Sequence, residues 1–328
     1  MIKDILKELE SLDQRIEALE NPAEEPGDEA RLLGETGTAE NAASLAELEA
    51  LRAQTLEQCR DLTPADRVFL ARHQGRPRID EYIDVLFTDF FEQRGDRYCS
   101  DDTSIYGGIA RYKDVPVTVI GHRKGSTLDE NMRYRFGMPE PDGYRKALRL
   151  MRQAEKFGRP VITFIDTPGA YPGKEAEERG QAEAIARNLA EMSSLSVPVI
   201  CVVTGEGSSG GALALGVGDA VLMLQHAVYA VLSPEGFASI LWKDSSRWQE
   251  AAGQMKLTAP DLLELGLIDG IVPEPAGGAH TDPAAVYRAL DKELYARLHA
   301  LCRMRPAALT AARFQKLRAM GNLGKEQA

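Results

Sequence analysis

The sequence predicts an α/β protein, and three observations carry that reading. From about residue 105, short apolar runs alternate with amphipathic helical stretches. The runs RPVITFID and VPVICVVTG are apolar almost throughout, as strands are when helices cover both faces of their sheet. The loops after these two runs are rich in glycine or proline and lead into helix starts, where α/β folds collect ligands.

Taken in order, Ile2, Leu6, Leu9, Leu12, Ile16 and Leu19 recur at spacings of three and four and predict one face of a helix. A second helical stretch, SLAELEALRAQTLEQCRDL, can pair with that face. Between them, NPAEEPGDEARLLGETGTAE holds two prolines, several glycines and mostly acidic charge, and is expected to be a mobile loop. Residues 1–60 therefore read as a helical N-terminal extension with an acidic loop at 21–43, used for packing or assembly rather than chemistry. VPVTVIG is a strand. PDGYRKALRLMRQAEKFG is a helix burying Tyr144, Ala147, Leu148, Met151 and Ala154. RPVITFID is a buried strand. AEERGQAEAIARNLAEM is a helix burying Ala182, Ile185, Ala186, Leu189 and Met192. VPVICVVTG is a buried strand, GGALALG a short helix, and DAVLMLQ and AVYAVLS two more strands. TAPDLLELG opens a late helix, with Thr258 as N-cap and Pro260 soon after. No internal repeat is visible. Residues 61–300 form the expected main domain and 301–328 a C-terminal tail.

Hydrophobic residues at 44% and charged residues at 27% are ordinary for a soluble globular protein. A net charge of −11 argues against nucleic acid, which rewards dense Lys and Arg on one face. No apolar run is long enough to span a bilayer, and MIKDILKELE is too charged for a secretory signal. The four cysteines, Cys59, Cys99, Cys201 and Cys302, lie far apart without CxxC, and the five histidines give no HxH or HExxH. The expectation is reduced thiols in a cytoplasmic protein, with no metal on this chain.

GEGSSGGALA, residues 205–214, reads three ways. It fits the dinucleotide pattern GxGxxG through Gly205, Gly207 and Gly210, but the next strand ends at Gln225 and His226 where an acid is needed. It fits the hydrolase pattern GxSxG with Ser209 as nucleophile. That reading needs a base, and His226, His280 and His299 lie in stretches without functional character, so Ser208 and Ser209 read as helix caps. In the third reading only backbone acts: glycines let a charged group approach, and two N–H groups at a helix start hold an oxyanion. Against it stands simple close packing at Gly210 and Gly211.

The run from about Leu62 to Tyr295 resembles the carboxyltransferase alpha subunits of bacterial acetyl-CoA carboxylases. The matching strings are LFTDFFEQRGDR, DDTSIYGGIAR, NMRYRFGMPEPDGYRKALRLM, FIDTPGAYPG, AEERGQAEAIARNLAEM, GEGSSGGALALGVGD, SPEGFASILWKD and LIDGIVPEPAGGAH. The resemblance implies a crotonase-type fold, a spiral of ββα turns. It implies transfer of a carboxyl group from carboxybiotin, on a biotin carboxyl carrier protein, to acetyl-CoA, giving malonyl-CoA for fatty acid synthesis. It implies work beside a zinc-ribbon beta subunit in an α2β2 assembly, with biotin carboxylase in the wider complex and no covalent cofactor here. By motif, Gly210 and Gly211 become the oxyanion hole for the biotin carbonyl, and Gly169, Ala170, Tyr171, Pro172, Gly207 and Ser209 line the substrate.

The chain departs from the family pattern at Ser208, usually glycine, where a positive φ would strain serine. It also departs at Lys174 and Glu175, at Phe237, and in RKGSTLDENMRYR. Tyr171 and Pro172 are expected to wall the biotin pocket. Glu178 and Arg179 read as complements to a helix dipole, and His122, Arg123 and Lys124 as a solvated basic face or a contact for CoA phosphates. The rival readings are a stand-alone crotonase-type acyl-CoA hydratase or decarboxylase, and a scaffold that keeps the fold without the chemistry.

Overall fold

The computed structural model describes residues 2–20, 36–98 and 100–321, so Cys99 and most of the expected acidic loop lie outside the described residues. The chain opens with α1 (Ile2–Glu20) and α2 (Thr36–Glu57). The second helix begins earlier than expected, inside the stretch assigned to the loop. Ile2, Ile5 and Leu9 of α1 pack with Cys59, Leu62 and Leu70, and the Ile2 amide donates to Asp66 Oδ1 at 3.0 Å. The expected apolar stripe is therefore what docks the extension onto α3 (Pro64–Ala71). That helix starts at Thr63, which caps the Asp66 amide while Asp66 caps Thr63 in return.

The chain continues through α4 (Ile79–Leu86), β1 (Thr88–Glu92), β2 (Ile105–Tyr112) and β3 (Val115–His122). Next come α5 (Leu128–Arg133), α6 (Pro141–Lys156), β4 (Val161–Thr167), α7 (Lys174–Glu178) and α8 (Gln181–Ser194). Then β5 (Val199–Ser208), α9 (Ser209–Leu213), β6 (Ala220–Leu224), β7 (Val228–Ala230) and α10 (Pro234–Trp242) follow. The last elements are α11 (Trp248–Gln254), α12 (Ala259–Glu264), β8 (Gly270–Val272), α13 (Pro283–Leu301) and α14 (Pro306–Ala319).

The strands form one sheet in the order β1-β2-β3-β4-β5-β6-β8. β1, β2 and β3 are antiparallel neighbours, and β3 through β8 run parallel. Every residue of β4 and β5 is buried, as their apolar runs predict. β5 is used twice. Its first half pairs with β4 and β6, and its last three residues, Glu206, Gly207 and Ser208, pair with β7. This leaves the glycine stretch at the far end of the central strand.

On α6 the five expected residues are all buried. On α8 the expectation fails in two ways. The single helix is broken at Gly180, whose φ of +86° is left-handed and separates α7 from α8. Ala182 and Ala186 are exposed, and the buried face is Gln181, Ala184, Asn188 and Met192. The polar members of that face use their amide nitrogens: Gln181 donates to the Pro139 carbonyl at 2.8 Å, and Asn188 to the Ala214 carbonyl at 3.2 Å. Within the expected C-terminal tail, α14 is pinned by Arg313, which pairs with Asp219 at 2.7 Å and donates to the Met192, Leu195 and Val197 carbonyls.

Candidate active site

The loop from Thr167 to Gly173 leaves the end of β4. Thr167 Oγ1 accepts from the Gly169 amide at 3.0 Å and donates to the Gly169 carbonyl at 2.7 Å, closing a tight turn. Gly169 has φ +144°, a conformation open to glycine and costly for other residues. The Tyr171 amide donates to the Pro139 carbonyl at 3.0 Å, and Gln181 donates to the Tyr171 carbonyl at 3.1 Å. Tyr171 is half-buried, with the Arg135 guanidinium 5.9 Å over its ring, and Pro172 is exposed.

The second loop turns from β5 directly into α9. Gly207 is buried, and a Cβ there would lie 2.9 Å from the Tyr229 ring, so the structure puts it beneath the turn. Ser208 is extended, with φ −120°, so serine is unstrained where the family has glycine. The strain sits one residue on: Ser209 is exposed at φ +55°. Gly210 is half-buried beside Ile185. A Cβ on Gly211 would fall 2.6 Å from the Ala170 amide nitrogen and 3.0 Å from the Tyr144 hydroxyl. The two loops therefore meet at Gly211. As early residues of a helix, Gly210 and Gly211 hold N–H groups ahead of the first i→i−4 bond. Among the described residues, neither amide donates outside its own helix.

Beneath the loops lies a buried ionic network absent from the sequence reading. Asp166 is the penultimate residue of β4, beside the first loop. Lys124 donates to its Oδ1 at 2.6 Å, the Glu206 amide donates to the same oxygen at 3.0 Å, and Arg78 stands 3.5 Å from Oδ2. Burial pushes the Asp166 carboxyl up, but Lys124 and Arg78 outweigh it and hold it below the usual carboxylate range. Glu206 pairs with Arg72 at 2.7 Å, which pairs with Glu235 at 2.7 Å. Burial pushes the His122 imidazole down to about 4, so it is neutral at pH 7. Arg123 bonds Asp80 and lies 4.3 and 4.5 Å over the rings of Tyr106 and Tyr134. His122 is therefore buried and Arg123 and Lys124 are paired inside the fold, so the three form no solvated basic face. Arg179 pairs with Glu140 and Asp142, tying the end of α7 to the start of α6, a more specific contact than dipole complementarity. Glu178, Lys174 and Glu175 are exposed, and Phe237 stacks edge-on against Trp242 at 5.9 Å.

Ser209 has no histidine in hydrogen-bond contact among the described residues. His226 lies beside Arg67, His280 stacks on His73, and His299 stacks on Tyr295. An apolar cavity of about 430 Å³ opens beside Ser209 and Gly210, lined by Leu213, Tyr229, Val231, Leu262, Leu317 and Met320. The last two come from α14 and its end, within the expected C-terminal tail. Among the described residues no group of three or more metal-ligating side chains is gathered, and no helix is long and apolar enough to cross a membrane.

Residues 2–321 match the family described as acetyl co-enzyme A carboxylase carboxyltransferase-like. The chain belongs to this carboxyltransferase family. Its relatives include the acetyl-coenzyme A carboxylase carboxyl transferase subunit alpha of Geobacillus thermodenitrificans, 58% identical over 263 residues, covering 80% of this chain and 81% of that one. The subunit of the same name from Listeria monocytogenes is 55% identical over 261 residues, covering 80% and 82%. Among solved structures, transcarboxylase 12S with methylmalonyl-coenzyme A bound aligns with a TM-score of 0.55 at 21% identity. That alignment covers 72% of this carboxyltransferase chain and 45% of the other. A Pseudomonas malonate decarboxylase hetero-tetramer with coenzyme A aligns with a TM-score of 0.54 at 15% identity, covering 66% and 86%. These structures share the fold, which is the crotonase type expected.

Proposed function

We propose that this chain is the alpha subunit of an acetyl-CoA carboxylase carboxyltransferase, and that Gly210 and Gly211 are its oxyanion hole. The observation that carries the reading is the meeting of the two glycine loops at Gly211, with two helix-start amides free of partners outside their helix.

The residues present fit a biotin ureido group. The backbone at Gly210 and Gly211 carries no side chain, and the neighbouring cavity is apolar, as a bicyclic ring and its aliphatic arm require. Carboxybiotin, delivered on a carrier protein, supplies the carboxyl group as CO2 while negative charge develops on its ureido oxygen. The two amides meet that charge, and removing one such donor typically costs about 3–4 kcal/mol of transition-state stabilisation. Gly169 and Ala170 hold the turn against which Gly211 is seated, and Tyr171 and Pro172 form its outer wall. Ser209 borders the cavity, and Gly207 supports the turn from below. With biotin bound, its ureido nitrogen would be available to accept the methyl proton of acetyl-CoA and the resulting enolate would bond to the CO2, so this chain would need no side chain as base, and proximity of the two substrates would supply much of the remaining acceleration. A beta subunit would bind acetyl-CoA and hold its enolate, within an α2β2 assembly served by biotin carboxyl carrier protein and biotin carboxylase. Residues 1–60, 61–300 and 301–328 are the proposed extension, carboxyltransferase domain and C-terminal segment.

The test is the back-reaction from malonyl-CoA to biotin with the chain co-expressed with its beta subunit. The pair should be active and each subunit alone inactive. Gly211→Val should abolish the rate, and an unchanged rate would discredit the site. Turnover of crotonyl-CoA by this chain alone would favour the hydratase reading.

A further inference from the structure

The Asp166 carboxylate touches the ends of three adjacent parallel strands. It belongs to β4 and stands one residue before the Thr167 that closes the first loop. It takes the Lys124 ammonium, two residues past β3, at 2.6 Å. It takes the Glu206 amide of β5 at 3.0 Å. A Cβ built on Gly205 would fall 2.4 Å from Asp166 Oδ1, so the carboxylate rests against the β5 backbone just before the glycine turn. On the other side, a Cβ on Gly137 would fall 2.9 Å from the Asp166 carbonyl oxygen. The carboxylate is therefore packed closely on its Gly205 side, and the Asp166 backbone is packed closely at Gly137.

We propose that Asp166 is a positioning residue that sets the separation of the two glycine loops, acting through the Glu206 amide and the Lys124 ammonium. The proposal rests on Gly210 and Gly211 being the anion site. Its physical basis is that a loop displaced by about 1 Å loses on the order of a hundredfold in rate when the reacting groups must be held in register.

Two substitutions separate length from charge. Asp166→Asn keeps the side-chain length and an acceptor for the Glu206 amide, and gives up the charge. Asp166→Glu keeps the charge and drives one more methylene against Gly205. Each is measured in the assembled complex with the beta subunit, by the malonyl-CoA to biotin back-reaction, with rates referred to the assembled fraction. Positioning predicts that Asp166→Glu loses at least about a hundredfold in kcat and Asp166→Asn about tenfold, with KM little changed in both. The reverse order, with the Glu variant active and the Asn variant dead, would show that the charge and not the length of the side chain matters, and would overturn the proposal. Wild-type kcat in both would mark a purely structural role and overturn it equally. Gly211→Val run alongside keeps the two readings apart. If that variant is active, the site assignment has failed. If it is inactive while Asp166→Glu is active, this proposal has failed. If neither Asp166 variant assembles, Lys124→Gln, which can still donate, should keep its rate within about threefold, and Lys124→Leu should lose about tenfold or more. Equal rates for those two would overturn the clamp.

Discussion

Arg313→Met removes the anchor of α14 without introducing a gross change in side-chain length. In the structure the Arg313 side chain is 0% exposed and that of its partner Asp219 4%. The guanidinium also donates to the Met192, Leu195 and Val197 carbonyls at 2.8, 2.7 and 3.0 Å. After substitution Asp219 keeps the Val199 amide at 2.8 Å but has lost its buried countercharge. Breaking a buried pair from one side costs about 3–5 kcal/mol, because the remaining charge is left without compensation. Lys316 adds part-buried bonds to the Gly218 and Asp219 carbonyls and the Asp269 carboxylate, but Arg313 is the fully buried anchor, so the cost should appear first as local opening of residues 306–319. At 1.4 kcal/mol per decade, amide exchange there should quicken about a hundred- to several-thousandfold, while β4 and β5 exchange at their former rates. Leu317 and Met320 line the cavity beside Gly210, so the same variant should lose carboxyl transfer as the cavity wall leaves. Unchanged exchange across 306–319 would refute the assignment of Arg313 as the anchor.

Other outcomes follow from the same geometry. Burial holds the imidazoles of His122 and His226 near about 4, below their ordinary 6.5. Between pH 6.5 and about 4 the unfolded chain binds protons at these positions that the folded chain does not, so stability falls as pH is lowered through that window. Each histidine contributes up to about 1.4 kcal/mol per pH unit. Urea denaturation across pH should show this slope, and His122→Asn should remove one share of it; equal slopes would count against burial as the cause. Adjacent serines should respond with opposite signs. Ser209→Gly relieves a φ of +55° and should stabilise by about 1 kcal/mol, whereas Ser208→Gly loosens an extended residue at φ −120° and should cost about 0.5–1 kcal/mol. Thermal melts of the two variants decide it, and shifts of the same sign would refute the placement of the strain.

Hydrophobic periodicity located β3 through β7 and five buried residues of α6, because those residues are buried for being apolar, but it gave no sign of β1, β2 or β8, nor of the buried Asp142 and Lys146 on α6. It misplaced the face of α8, where Gln181 and Asn188 are buried for the carbonyls they satisfy, a need that no spacing of apolar residues announces. It missed α14 for the same reason, since that helix is held by an arginine. The glycine motif marked a special loop, and family resemblance supplied its proposed use. Neither could show that Asp166, in the first loop's string, is bonded to the Glu206 amide of the second.

The structure also separates two roles that the sequence left entangled at Gly210 and Gly211. Gly211 has no room for a side chain: Ala170, Gly169 and Tyr144 all stand within 3.0 Å of where a Cβ would lie. Packing alone accounts for its lack of one. Gly210 is different, because a Cβ there would meet only Ile185, at 3.3 Å, a contact that a small rotation of a flexible side chain relieves. Close packing therefore explains one glycine and leaves the other without a steric reason. The proposed anion site would supply that reason, since a bare backbone lets a charged group come close to the amides. On that proposal the seat of Gly211 on the first loop fixes where the pair of amides is held, and the bareness of Gly210 keeps the approach to them open.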